Sequence, residues 1–176
     1  MGILTCKRPL ALLVGLALVF AFFVATSMAQ QKTKIAGKMT CAYVMQKKLD
    51  VGDTEGHVIS LGQSEGTNVS TGENEFMDGA RIVNMSFSDV IKGNGPHQGY
   101  LKHEKNGNST FTGWNGKITT IFSDEGAPII TFEGIFTYIR GTGKFEGIQG
   151  SGTYKGRFIS EKEYTVEWEG EYFIKK

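Results

Sequence analysis

Glu163-Tyr164-Thr165-Val166-Glu167-Trp168-Glu169-Gly170-Glu171-Tyr172-Phe173-Ile174 alternates between two kinds of residue. The even positions carry Tyr164, Val166, Trp168, Gly170, Tyr172 and Ile174. The odd positions carry Glu163, Thr165, Glu167, Glu169, Glu171 and Phe173. A β-strand points successive side chains to opposite faces. One face of this segment is therefore aromatic and the other is nearly a row of carboxylates. Such a row can be read as a metal or catalytic cluster, but the clean alternation favours a solvated outer face over an apolar interior.

The same two-residue period recurs along the chain. It predicts further strands over 39–46, 57–63, 80–91, 97–104, 110–122, 128–140 and 150–159. The breaks carry turn chemistry, as in Asp53-Thr54-Glu55-Gly56, Lys92-Gly93-Asn94-Gly95, Lys105-Asn106-Gly107-Asn108 and Ser123-Asp124-Glu125-Gly126. Eight strands joined by short turns, with no helical stripe to supply crossovers, point to an antiparallel barrel or sandwich.

Glycine separates the two. The chain has 24 glycines and only 3 prolines. Gly113, Gly116, Gly134, Gly152, Gly156 and Gly170 fall inside strand patterns, where glycine weakens a flat strand. They need a geometric reason: a corner, a bulge or room for a neighbouring ring. Trp114, Phe132, Phe136, Tyr154, Phe158 and Trp168 are large enough to fill that room. The expected fold is therefore all-β, a single eight-stranded antiparallel barrel of calycin-type shape.

Ahead of the strands, Lys7 and Arg8 precede an uncharged run from Pro9 to Ala25, and Ser27 and Ala29 follow as small residues. This is the pattern of a signal peptide cleaved after Ala29. The run is at the short end for an uncleaved membrane anchor. The expected organisation is a signal peptide over 1–29, a polar lead-in over 30–38 and the barrel over 39–176, with a secreted or periplasmic location. Cleavage would remove Cys6 and leave Cys41 alone, best read as a small buried residue, since no nucleophile motif surrounds it.

Charge is nearly balanced, with 19 Lys and Arg against 18 Asp and Glu, which gives no basic stripe for nucleic acid. No nucleotide, protease or zinc-hydrolase motif is present. No cofactor or metal is expected. His97 and His103 share a parity but lie roughly 20 Å apart along one strand, too far for one ion. His57 and His97 open strands beside glycine-rich turns, positions at a barrel rim, and are weak candidates for a general base. Asn84 and Glu133 are polar within strongly patterned strands and are weak candidates if they face inward. Asn68, Asn84 and Asn108 each begin a glycosylation sequon. The strand over 128–140 is apolar on both faces, with Ile129, Ile135 and Ile139 opposite Ile130, Phe132, Phe136 and Tyr138. Its outer face is expected to be covered by the lead-in, a loop or another subunit.

Residues 141–156 read GTGKFEGIQGSGTYKG. The stretch Gly141-Thr142-Gly143-Lys144-Phe145-Glu146-Gly147 resembles the hairpin of allene oxide cyclases and dirigent proteins. The whole chain is similar to an exported bacterial branch of that barrel group. The resemblance implies an eight-stranded antiparallel barrel with a hydrophobic lumen, of a kind often assembled as a trimer. It carries no catalytic residue across. Three readings follow. The first is a non-enzymatic barrel binding a small apolar ligand against Trp114, Phe132, Phe136, Tyr154 and Trp168. The second is an isomerase or cyclase acting on a lipid-like or phenolic substrate. The third is a structural or partner-binding barrel with a filled lumen.

Overall fold

The computed structural model describes residues 31–175, so the expected signal peptide lies outside the described residues. The strands are β1 (Thr33–Asp50), β2 (His57–Ser70), β3 (Arg81–Ile91), β4 (Gly95–Lys105), β5 (Asn108–Phe122), β6 (Pro128–Thr142), β7 (Ile148–Phe158) and β8 (Glu163–Ile174). Each pairs antiparallel with the next, and β8 returns to β1 to close the barrel. In β8, Tyr164, Val166 and Trp168 are buried while Glu163, Glu167 and Glu169 are exposed, so the carboxylate row is the outer face.

The expected lead-in over 30–38 is corrected. From Thr33 onward it is strand, and its pairing with β8 runs from Thr33↔Tyr172 to Ala42↔Glu163. This pairing is what closes the barrel. Ile35, Met39 and Cys41 share a parity and are buried, with Gly37 between them. The lysines that make the segment look polar alternate outward.

Interior glycines make room for rings, as the barrel reading requires. Gly37 lies beneath the Trp168 indole and Gly156 beneath Phe132. A Cβ on Gly134 would sit 2.5 Å from the Tyr154 hydroxyl, and one on Gly152 2.5 Å from Phe136 Cζ. Gly113 differs: it faces outward toward Ile139 and Tyr100. After β6 the chain reverses through a 3-10 turn at Gly143–Phe145. Gly143 and Gly147 have φ of 61° and 77°, left-handed values that glycine adopts without strain. The turn delivers the buried Phe145 to the barrel end.

The two ends differ. At one, residues 71–80 between β2 and β3 fold inward, and Phe76 contacts Tyr138, Phe145, Trp168 and Tyr172. Asn68 anchors this plug: its Nδ2 donates to the carbonyls of Phe76 and Met77, both at 3.0 Å. At the other end the hairpins are open. β1 continues to Asp50 although β8 leaves it at Ala42, and the β5–β6 ladder extends to Phe122↔Pro128 beyond the last β6–β7 pair, Thr131↔Arg157. On the outer face of β6, Ile135 and Ile139 stand 54% and 58% exposed. The segment expected as a lead-in runs as β1 between β2 and β8, away from this face.

Candidate functional site

Alternation around a closed sheet converges every second side chain on the barrel axis. The result is one cavity of about 100 Å³, opening at the end away from the plug. Its mouth is framed by Gln46, Ser60, Ser86, Ser88 and Phe158, and its deeper wall includes His103, Tyr138 and Trp168. For scale, a dry cavity of about 150 Å³ accepts benzene. The lumen is thus neither filled solid nor an open pore.

All five aromatic residues expected to form a ligand wall (Trp114, Phe132, Phe136, Tyr154 and Trp168) line this cavity. Their rings meet edge-on, as in Trp114 against Tyr154 and Phe136 against Trp168, at 5.9 Å and 6.3 Å between centroids. Such offset contacts fix ring positions as well as burying area.

Two polar clusters interrupt the apolar wall. In the first, Trp114 Nε1 donates to Asn84 Oδ1 at 2.9 Å, and Asn84 Nδ2 donates to the Tyr164 hydroxyl at 3.1 Å. The Ser64 and Tyr164 hydroxyls are 2.5 Å apart. Burial pushes the Cys41 thiol up to about 11, only partly opposed by the neighbouring Tyr164 hydroxyl. In the second, the Tyr154 hydroxyl lies 3.0 Å from His97 Nε2, and the Glu133 backbone carbonyl accepts from the other ring nitrogen, which leaves Nε2 to accept from Tyr154. Desolvation pulls His97 down to about 4, only partly opposed by that carbonyl. Burial pushes the hydroxyls of Tyr138, Tyr154 and Tyr164 well above the usual phenol value. Every one of these groups is neutral at neutral pH. No Asp, Glu, Lys or Arg among the described residues lines the cavity.

The four weak candidates separate. Asn84 and His97 face the lumen, and His97 is buried in it instead of standing at the rim. Glu133 is corrected to the outer face, where it pairs with Lys117 at 3.2 Å. Its parity is opposite to Phe132 and Gly134, and a strand cannot turn both inward. His57 also lies on the outer face, at the open end. Its Nδ1 is 2.5 Å from Asp53 Oδ1 and its Nε2 is 2.7 Å from Asp89 Oδ1. Of the sequon residues, Asn68 and Asn84 are buried and committed to internal hydrogen bonds. Sequence reasoning missed Ser64, Asn68 and Tyr164 as polar lumen groups. Parity was the available signal, since Ser64, Gly66 and Asn68 continue the register of Ser60 and Gly62. Among the described residues, no group of three or more His, Cys, Asp or Glu is placed to hold a metal ion.

Two dirigent proteins of solved structure are similar to this chain. The pterocarpan synthase dirigent protein GePTS1 aligns over 98% of this chain and 100% of its own, at 10% identity and a TM-score of 0.48. The pterocarpan synthase dirigent protein PsPTS1 aligns over 83% and 97%, at 13% identity and a TM-score of 0.45. No protein-family model matches the sequence, and no curated protein matches it. The site is therefore read from its own side chains.

Proposed function

We propose that this dirigent-like barrel binds a small, neutral, mainly apolar molecule in its lumen, admitted through the open end. The observation that carries the reading is the cavity wall, rich in aromatic rings and, among the described residues, without a charged side chain. A charged ligand would lose its hydration and find no counter-charge there. A neutral one exchanges water for ring contacts, with fixed polar groups to orient it. Export of the chain, expected from residues 1–29, fits a carrier or sequestering role outside the cytoplasm.

Both tryptophans of the chain, Trp114 and Trp168, line the cavity, so intrinsic fluorescence reports directly on occupancy. Native mass spectrometry of protein purified from its own source should show a retained neutral molecule, released on denaturation. Small neutral hydrocarbons and alcohols should shift the tryptophan emission saturably. An empty protein whose emission ignores all of them would refute the reading.

A catalytic reading has one observation in its favour, the His97–Tyr154 pair. An isomerase or cyclase acting on a lipid-like or phenolic substrate would use that pair to hold or move a proton. A histidine pulled down to about 4 is a weak base, however, which places binding ahead of catalysis. Turnover that survives both His97→Gln and Tyr154→Phe would dismiss it.

A further inference from the structure

His103 sits deep in the lumen, 5% exposed, on the cavity wall beside Trp168 and Tyr138. Its Nδ1 lies 3.3 Å from Thr110 Oγ1. Its Nε2 has no hydrogen-bond partner, the one such buried side-chain nitrogen or oxygen among the described residues. The ring is packed edge-on against Phe76 and Trp168, with centroids 6.2 Å and 6.3 Å away. Phe76 belongs to the plug, so this nitrogen cannot turn to solvent at that end.

An unsatisfied buried nitrogen is costly, and native proteins leave few of them. The other polar lumen groups behave differently. Asn84, Ser64, Tyr164, His97 and Tyr154 satisfy one another. The mouth serines also have partners, with the Ser60 and Ser88 hydroxyls 2.7 Å apart. Among the described residues, His103 Nε2 is the fully buried side-chain polar atom left without a partner.

From this placement we infer that His103 Nε2 is the inner anchor of the lumen site and that the ligand is an apolar alcohol inserted hydroxyl first. The inference rests on the lumen-binding reading above. A hydroxyl suits the position because it both donates and accepts, and so meets either tautomer of a neutral imidazole. A carbonyl meets only one tautomer. A carboxylate or an ammonium would be charged, in a cavity with no charged side chain to answer it. With the hydroxyl at His103, the apolar body lies along Trp168, Phe136 and Val166, which line the same cavity, and points toward the mouth.

Cyclohexanol and methylcyclohexane, similar in shape and differing by the hydroxyl, make the test. Both are titrated into the wild-type barrel and into His103→Leu, followed by tryptophan fluorescence and calorimetry. The expected result is that His103→Leu weakens cyclohexanol binding about tenfold, the scale of losing a buried hydrogen bond. Methylcyclohexane binding should be unchanged or tighter. In the wild type, which needs no substitution to fold, the ring-nitrogen NMR signals of His103 should move with cyclohexanol and not with methylcyclohexane. Equal changes for both molecules, or silent His103 signals while cyclohexanol binds, overturn the anchor and leave the lumen reading standing. If neither molecule binds the wild type, the lumen reading falls and the anchor with it.

Discussion

The Cys41 thiol is 2% exposed, and burial holds it near 11, far above neutral pH. The thiolate is the nucleophile, so a thiol that is both covered and protonated is inert. Iodoacetamide at pH 7.5 should leave Cys41 unmodified in the folded protein and alkylate it fully in denaturant. Labelling at the denatured rate under native conditions would mean that the lumen opens far more widely than this structure does. His57 is the opposite case. Both its ring nitrogens face carboxylate oxygens, which only accept, so both must carry protons. The hydrogen bonds to Asp89 and Asp53 raise its pKa, and the bond to His57 lowers that of Asp53. The sign follows by linkage. The stabilisation from His57 is fully present below its unfolded value of about 6.5 and is lost as pH rises through the higher folded value. The Asp53 contribution is present above about 3.9 and is lost as pH falls through its lower folded value. Thermal midpoints of wild type and His57→Gln should therefore converge as pH is raised above 6.5. A gap that stays constant across that range would show that the ring is not an imidazolium.

At the scale of the element, β2 shows how far the sequence could be read. Residues 57–63 were legible as strand, whereas 64–70, Ser-Glu-Gly-Thr-Asn-Val-Ser, resemble a loop. They are strand because their inward polar groups are satisfied from across the barrel: Ser64 by Tyr164, and Asn68 by the Trp168 indole at 3.1 Å. Local composition records none of those partners. The plug over 71–80 was illegible for the same reason, since Phe76 finds its pocket only once β4, β6 and β8 have closed around it. β8 was legible because its alternation is local, and the turns because glycine and asparagine mark them. The aromatic half of the candidate site followed from parity, while His103 needed the structure to show that one nitrogen is unpaired. Asn68 is fully buried and ties the plug to the wall, donating to two plug carbonyls and accepting from the Trp168 indole N–H of β8. Asn68→Ala leaves all three without that partner and should cost about 3 kcal/mol in denaturant unfolding. Replacement at a cost below roughly 0.5 kcal/mol, the range of an ordinary surface change, would show that the plug is held by Phe76 packing alone.

The whole barrel is polarised, and this bears on how a ligand could reach the lumen. Toward the plugged end the least exposed side chains gather: Phe76, Ile82, Asn68, Thr110 and Ser64. At the open end, the β1–β2 and β5–β6 hairpins extend past their outer neighbours. The residues from Lys47 to Asp50 are all exposed, as are Ile121 and Phe122. Regions with few buried contacts open at low free-energy cost, and those inside the closed ladder open only with global unfolding. Amide hydrogen exchange should therefore be fastest over 47–56 and 120–128 and slowest over 66–70, 80–84 and 109–112. This gradient suits a lumen that loads from one side, because the hairpins around the mouth can yield while the plug stays shut. A saturating lumen ligand should slow exchange near Ser60, Ser88 and Ile118, which border the cavity toward its mouth, and change the plugged end little. Fast exchange over 71–80, with slow exchange at the hairpin tips, would reverse the assignment of door and floor.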